Sequence, residues 1–209
     1  MTIGKTDNTV EITKDTYHKQ GKSYIRVTRV LDIIAKPEFY RWYAKHGYAH
    51  CIKVRDDRAA FGSRMHKEFQ NWLSDENVWI DDQEMQVSFD MFKEWVDLHK
   101  LKPLELEYRL FNDELLVGGT CDFIGYMDDK FVLLDWKTSK RAYDNYKLQV
   151  AIYLFMYEQM TGDKVLGGAG IVCFRDGKII EKYLSRDECM KLVEVFRAAR
   201  ILYRWKYGK

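Results

Sequence analysis

The stretch from Gly119 to Lys137, GTCDFIGYMDDKFVLLDWK, constrains the chain more than any other. It reads as two short apolar strands joined by a Met127-Asp128-Asp129-Lys130 turn. Alternate residues of an extended strand share a face. In the second strand Phe131, Leu133, Asp135 and Lys137 therefore fall on one side, and Val132, Leu134 and Trp136 on the other. In the first, Asp122 is expected to share a face with Thr120 and Ile124. Two carboxylates and an ammonium thus end strands otherwise composed for burial. Burying charge is costly unless it is paired or holds a metal, so the stretch marks a site. Asp-x-Lys recurs as Asp128-Asp129-Lys130 and Asp176-Gly177-Lys178, but those copies sit on turn residues, where solvated charge is expected. Only Asp135-Trp136-Lys137 closes a hydrophobic strand. An ordinary ion pair at a strand end is the competing reading, and the rest of the chain weighs against it.

The net charge of +2 conceals a division. Lys19 to Lys67 carries twelve Lys/Arg against four Asp/Glu, Glu68 to Asp135 five against seventeen, and Arg186 to the end seven against three. Basic flanks around an acidic middle suit an enzyme of nucleic acid, which needs cationic walls for phosphates and carboxylates for a metal. Solvated helix faces clustering by sign would look the same on charge alone. Six Trp, fourteen Tyr and only two Pro in 209 residues allow a sizeable core and argue against long disordered segments. No apolar run is long enough to span a membrane and the N-terminus has no signal-peptide pattern. The cysteines at 51, 121, 173 and 189 are far apart, which predicts reduced thiols in a cytoplasmic protein.

Residues 1 to about 20 are polar and aperiodic, a loose arm or an edge hairpin. Thr28 is a candidate N-cap for a helix over 29–34, and Pro37 starts another over 38–48 bearing Tyr40, Trp42 and Tyr43. Those rings, among Arg41, Lys45 and Arg26, could stack on unpaired bases or belong to the core. A helix over 52–73 places Phe61, Met65, Phe69 and Trp72 or Leu73 on its apolar stripe, with Gly62 and His66 four apart beside it. Glycine there costs about 1 kcal/mol of helix stability and permits a close approach. The spacing predicts a helix over 83–100, then a half-buried strand over 104–111 with Glu105 and Glu107 on one face. A helix over 146–161 has Leu148, Ile152 and Phe155 as its apolar side and Gln149 and Tyr153 one turn apart on another. A hairpin, 169–174 with 179–184, and an Arg-rich helix capped by Ser185 complete the chain.

In this order and context, Gly62-x-x-x-His66, a strand glutamate best matched by Glu107 and otherwise by Glu105, Gly119-Thr120-Cys121-Asp122, Asp135-Trp136-Lys137 and Gln149-x-x-x-Tyr153 resemble the PD-(D/E)XK nuclease superfamily. The resemblance covers residues 23 to 161 and lies in the RecB-like branch, near phage-type exonucleases and the mitochondrial genome maintenance exonucleases. The superfamily's Pro is absent ahead of Asp122, a departure common in this branch. The implied fold is α/β (α+β): a restriction-endonuclease-like αβββαβ core, a mixed sheet flanked by helices, with an N-terminal helical annex. One nuclease domain over 1–209 would comprise an arm (1–22), a helical region (23–103), the catalytic sheet and helix (104–184) and a basic helix (185–209). Iron–sulfur members carry a tight Cys cluster after the core; Cys173 and Cys189 do not form one, so no such centre is expected.

Phosphodiester hydrolysis asks for up to about 23 kcal/mol of barrier lowering, and one well-placed donor such as Lys137 supplies only about 3 to 4 kcal/mol. A bound divalent metal would supply much of the rest and a nucleophile from water. Mg²⁺ or Mn²⁺ suits carboxylate and carbonyl oxygens, and a histidine favours Mn²⁺ somewhat. The resemblance implies His66, Asp122, Asp135 and the Trp136 backbone carbonyl as ligands, with Glu107 holding a second metal or its waters. Lys137 would orient the water, and Gln149 and Tyr153 would position the site and the DNA backbone. Arg41, Trp42, Lys45, Arg55, Arg58, Arg64 and Lys140 are the expected DNA contacts. Together these predict an exonuclease preferring single-stranded DNA, in replication or recombination of a phage or mobile element. A structure-specific endonuclease and a catalytically silent DNA-binding module are the alternatives. Homo-oligomerisation and a recombination or replication partner protein are left open.

Overall fold

Three two-residue turns set the strand pairing. Gln20-Gly21, Asp128-Asp129 and Asp176-Gly177 hold positive φ at both central residues, the backbone twist that tight hairpins require. They close β2 (Thr16–Lys19) on β3 (Lys22–Arg26), β5 (Val117–Met127) on β6 (Lys130–Lys137), and β7 (Ala169–Arg175) on β8 (Lys178–Leu184). This computed structural model describes residues 10–34 and 36–208. Residues 1–9 of the expected arm, Ala35 and Lys209 lie outside the described residues. The remaining elements are β1 (Glu11–Ile12), β4 (Lys102–Asn112), α1 (Val27–Leu31), α2 (Pro37–His46), α3 (Tyr48–Leu73), α4 (Gln83–Leu98), α5 (Asp144–Thr161) and α6 (Arg186–Tyr207).

The central strands β4, β5 and β6 are antiparallel, α5 crosses over, and β7 joins β6 in parallel. This mixed sheet between helices is the αβββαβ architecture expected. β4 covers one edge of β5 from Val117 to Tyr126. On the other edge β6 pairs only with Phe123 to Met127, and β3 only with Val117 and Gly118. Among the described residues, Gly119 to Asp122 therefore has no strand partner on that edge, and the sheet forks there.

Each face of the sheet carries its own core. On one side Val27, Leu31, Ile152, Leu154, Val193 and Phe196 cover Cys121, Ile124, Leu133 and Ile171. On the other Met65, Phe69, Phe92 and Trp95 cover Phe123, Leu134, Trp136 and Phe174. The second core is aromatic: Phe69 stacks on Phe92 at 3.9 Å, and Trp136 meets Phe92 edge-on at 5.4 Å and Trp95 at 5.6 Å. Trp136 so anchored fixes its strand neighbours Asp135 and Lys137 towards the α5 side, as period-two alternation predicts.

Of the two readings of the N-terminal stretch, the edge hairpin holds over residues 11–19, where β1 and β2 add to the sheet and Tyr17 is buried against Phe111. Several expectations need correction. Arg26, not Thr28, occupies the N-cap of α1 and makes no side-chain cap bond. α5 is buried nearly all round instead of amphipathic, because α6 packs on its outer side while the sheet takes its inner one. Alternation also fails at the fork. Cys121 and Phe123, two apart, enter different cores, as do Leu106 and Tyr108. Glu107, between Leu106 and Tyr108, has φ +49°, which reverses the strand's faces and separates Glu107 from Glu105. An L-residue in this region costs about 1–3 kcal/mol and tends to occur at functional sites.

Candidate active site

Where β6 leaves β5, the next amide still needs an acceptor, since a buried unpaired N–H costs about 1–3 kcal/mol. Asp122 provides it: Oδ2 accepts from the Trp136 N–H at 2.6 Å. Its other oxygen, Oδ1, lies 3.2 Å from His66 Nδ1. The register places Glu107 opposite Asp122, since Leu106 and Tyr108 pair with Phe123 and Cys121. One ligand atom each from His66, Glu107 and Asp122 lies within 4.8 Å of the others. Gly62, one turn before His66, leaves room for the chain after Lys137: a Cβ there would meet Thr138 Oγ1 at 3.1 Å.

Asp135 is buried to 1% exposure on the adjoining strand. Its Oδ1 accepts from Gln149 Nε2 at 3.1 Å, its Oδ2 pairs with Lys137 Nζ, and Gln149 also donates to the Tyr153 hydroxyl at 3.2 Å. Tyr153 in turn lies against Gly119, where any Cβ would come within 2.3 Å of the ring. The Gly-Thr-x-Asp glycine is thus the floor on which the Gln149–Asp135 contact is built. The aromatic core accounts for the Trp136 side chain, and its N–H is the group bonded to Asp122.

The charges act on one another. Burial pushes the Glu107 carboxyl up to about 7, with the Asp122 charge adding to the effect. Burial pushes Asp135 up to about 6 against the opposing pull of Lys137. Burial also opposes ionisation of Asp122, but His66, Lys137 and the Trp136 N–H outweigh it and lower its pKa. For Lys137, burial opposes the ammonium, and Asp135 and Asp122 outweigh it, raising its pKa. Crowded carboxylates beside a histidine nitrogen fit a hard divalent cation that tolerates one nitrogen donor. His66, Glu107 and Asp122 are the residues placed to hold it, with Asp135 alongside but committed to Lys137 and Gln149.

This cluster lines a cleft of about 1340 Å³. Glu38, Phe39 and Trp42 of α2 and Arg55, Arg58 and Ala59 of α3 line it as well, opposite Thr138, Lys140 and Tyr143. No residue of α2 is buried; Glu38 reaches Arg141 at 3.8 Å. Glu84 binds both Arg58 (2.6 Å) and Arg175 (3.4 Å), and Lys140 pairs with Asp176 at 2.9 Å. Of the expected DNA contacts, Trp42, Arg55, Arg58 and Lys140 line the cleft. Arg41, Lys45 and Arg64 do not. Arg64 lies on the opposite side of α3 from Gly62 and His66 and pairs with Asp81, while the lining edge of α2 is set by Glu38, Phe39 and Trp42. Arg26, expected beside the stacking rings, also lines the cleft, whereas sequence reasoning missed Lys36 and Arg175, scattered cations that only the fold brings together. It also missed Tyr146, whose spacing of three to Gln149 and seven to Tyr153 was a legible helical signal.

A mixed sheet that forks over a carboxylate–histidine cluster, with a lysine two residues after a buried aspartate, defines a restriction-endonuclease-like fold. The PD-(D/E)XK nuclease superfamily model matches residues 38–205, and the chain belongs to that superfamily. Nucleases of this superfamily use divalent metal ions. No curated protein matches the chain. Among solved structures it is similar to the protein SSO0001, with 15% identity, a TM-score of 0.41 and coverage of 87% of this chain and 78% of that one. It is also similar to a candidate exonuclease from Eubacterium rectale, with 16% identity, a TM-score of 0.37 and coverage of 57% and 54%. An alkaline exonuclease from Laribacter hongkongensis matches with 12% identity, a TM-score of 0.39 and coverage of 88% and 93%. Among the described residues no helix is long and apolar enough to cross a membrane, and all four cysteines are free and buried.

Proposed function

We propose that the chain is a metal-dependent DNA exonuclease that takes single-stranded DNA end-first, in the replication or recombination of a phage or mobile element. The observation that carries the reading is the convergence of His66, Glu107 and Asp122 beside the Asp135–Lys137 pair at the base of a covered cationic cleft. Mg²⁺ or Mn²⁺ held there would supply Lewis acidity to the phosphate and acidify a water. Lys137 points its ammonium into the cleft and offsets negative charge growing on the phosphate. Asp135 holds that ammonium, and Gln149 and Tyr153 fix Asp135 from behind. Glu107 would hold the metal with His66 and Asp122, or a second metal or its waters.

The strand preference is supported by the cover. α2 and the first half of α3 contribute Glu38, Phe39, Trp42, Arg55 and Arg58 to the lining of the cleft, and Glu38 reaches Arg141 at 3.8 Å. Phe39 and Trp42, centroids 6.3 Å apart, both line the cleft, and a base stacked on a ring contributes about 1–3 kcal/mol. Duplex grooves would not fit beneath such a cover, whereas one strand would, and threading requires an end. Linear and covalently closed circular single strands of equal length test this under the same metal and salt. The linear strand should be digested and the circle spared, with EDTA abolishing cleavage. Prompt cutting of the circle would instead establish a structure-specific endonuclease, and tight binding without cleavage under either metal a silent DNA-binding module.

A further inference from the structure

Lys137 is held from two sides. Its ammonium pairs with Asp135 and also lies 5.0 Å from the centroid of the Tyr146 ring. Tyr146 stands in the first turn of α5, on the cleft side that also presents Gln149 and Tyr153. The ring is itself fixed. Tyr143 meets it edge-on with centroids 5.4 Å apart. The pairing with Asp135 leaves the ammonium loosely directed, because a lysine head is a compact charge on a flexible four-carbon stem. The face of an aromatic ring adds a second constraint, since its quadrupole attracts a cation placed over it.

From this geometry we infer that Tyr146 is a positioning residue, holding the Lys137 ammonium towards the reacting phosphate through its ring face. The inference rests on Lys137 acting in phosphodiester cleavage. Two other roles for the ring, stacking on a base and filling the cleft wall, separate from this one by substitution. Tyr146→Phe keeps the ring and loses only the hydroxyl. Tyr146→Leu keeps apolar bulk and loses the quadrupole.

Positioning predicts that Tyr146→Phe stays within about threefold of wild type. Tyr146→Leu should lose about tenfold in single-turnover rate, with DNA affinity and thermal midpoint kept. The same substitution in a Lys137→Ala background should cost little more. A readout independent of cleavage is the NMR shift of the Lys137 ε-methylene, displaced upfield by the ring current in wild type and Tyr146→Phe and released in Tyr146→Leu. Weaker DNA binding at unchanged rate would overturn the inference in favour of stacking, and a lowered midpoint alone in favour of wall packing. An ε-methylene shift indifferent to Tyr146→Leu would overturn it outright. If the shift behaves as expected but wild type cuts no DNA, the nuclease reading fails while the Tyr146–Lys137 contact stands.

Discussion

Gly119→Ala adds one carbon at the point where β5 meets α5. The new Cβ would lie 2.3 Å from Tyr153 Cε1, 2.7 Å from Cζ and 2.8 Å from the hydroxyl. Carbon atoms settle at about 3.5 Å or more, so the ring must retreat by about 1 Å. It has nowhere easy to go, being 3% exposed inside the larger core. Overpacking of this kind costs about 1–3 kcal/mol. The ring carries the hydroxyl to which Gln149 donates, and Gln149 donates in turn to Asp135. A shift of about 1 Å in a catalytic group can cost about a hundredfold in rate. Urea unfolding and single-turnover cleavage of linear single-stranded DNA measure the two losses. Gly62→Ala serves as the comparison: its Cβ meets only Thr138 Oγ1, at 3.1 Å, and alanine recovers about 1 kcal/mol of helix preference, so its net effect on stability should be small. If Gly119→Ala unfolds and cuts like wild type, Tyr153 is not seated on β5 and the account of the glycine is wrong. A stability loss with an intact rate would show that the Gln149 contact is dispensable to Asp135.

The reversed strand at Glu107 separates two neighbouring glutamates. Glu107→Gln should slow cleavage at least about a hundredfold, while Glu105→Gln, on an exposed residue paired with Ile124, should leave it near wild type; the opposite ranking would mean the register is displaced by two residues. Divalent metal should raise stability by about 2.7 kcal/mol at a hundredfold excess over Kd. Calorimetry should show EDTA reversing that rise and His66→Ala losing most of it, and a metal-independent midpoint would contradict the ligand set. Glu158, 5% exposed, accepts from Arg186 at 2.8 Å twice and from the Val165 N–H at 3.0 Å. Burial opposes its ionisation, but these partners outweigh it and lower its pKa. Its contribution is therefore complete above the unfolded value of about 4.3 and is lost as pH falls through the lower folded value. Glu158→Gln should cost about 2 kcal/mol at neutral pH, with the gap to wild type closing below about pH 4 in denaturation series; a constant gap would refute the assignment.

What could be read in advance follows periodicity. Strand β6 is regular, so alternation placed Asp135 and Lys137 on one face and Trp136 on the other, as observed. The stripe of α3 was legible because Met65 and Phe69 pack on one sheet with helical spacing. Legibility stopped where backbone geometry departs from its period. Nothing in Leu106-Glu107-Tyr108 announces φ +49° at a glutamate, and so the two glutamates were assigned a common face. The all-round burial of α5 depends on α6 arriving from forty residues later, which no local window contains. Cations misassigned to the cleft failed for a related reason. Arg64 is as basic as Arg58, but α3 turns it away from His66, towards Asp81.

The irregularities fall together for a physical cause. A continuous ladder from β5 to β6 would use the amide of Trp136 and the backbone beside Asp122 for each other, leaving the carboxylates pointing at packed faces. Ending the ladder at Phe123 and Leu134 frees the edge of β5, and the orphaned amide then has to be satisfied. The Asp122 carboxylate satisfies it and is thereby aimed at the gap. Reversal of β4 at Glu107 brings a second carboxylate to the same level. Burial raises the Glu107 and Asp135 values, and repulsion from the Asp122 charge adds to both in the metal-free site. A cation relieves that repulsion, so the strain in the strands and the affinity for metal have one origin.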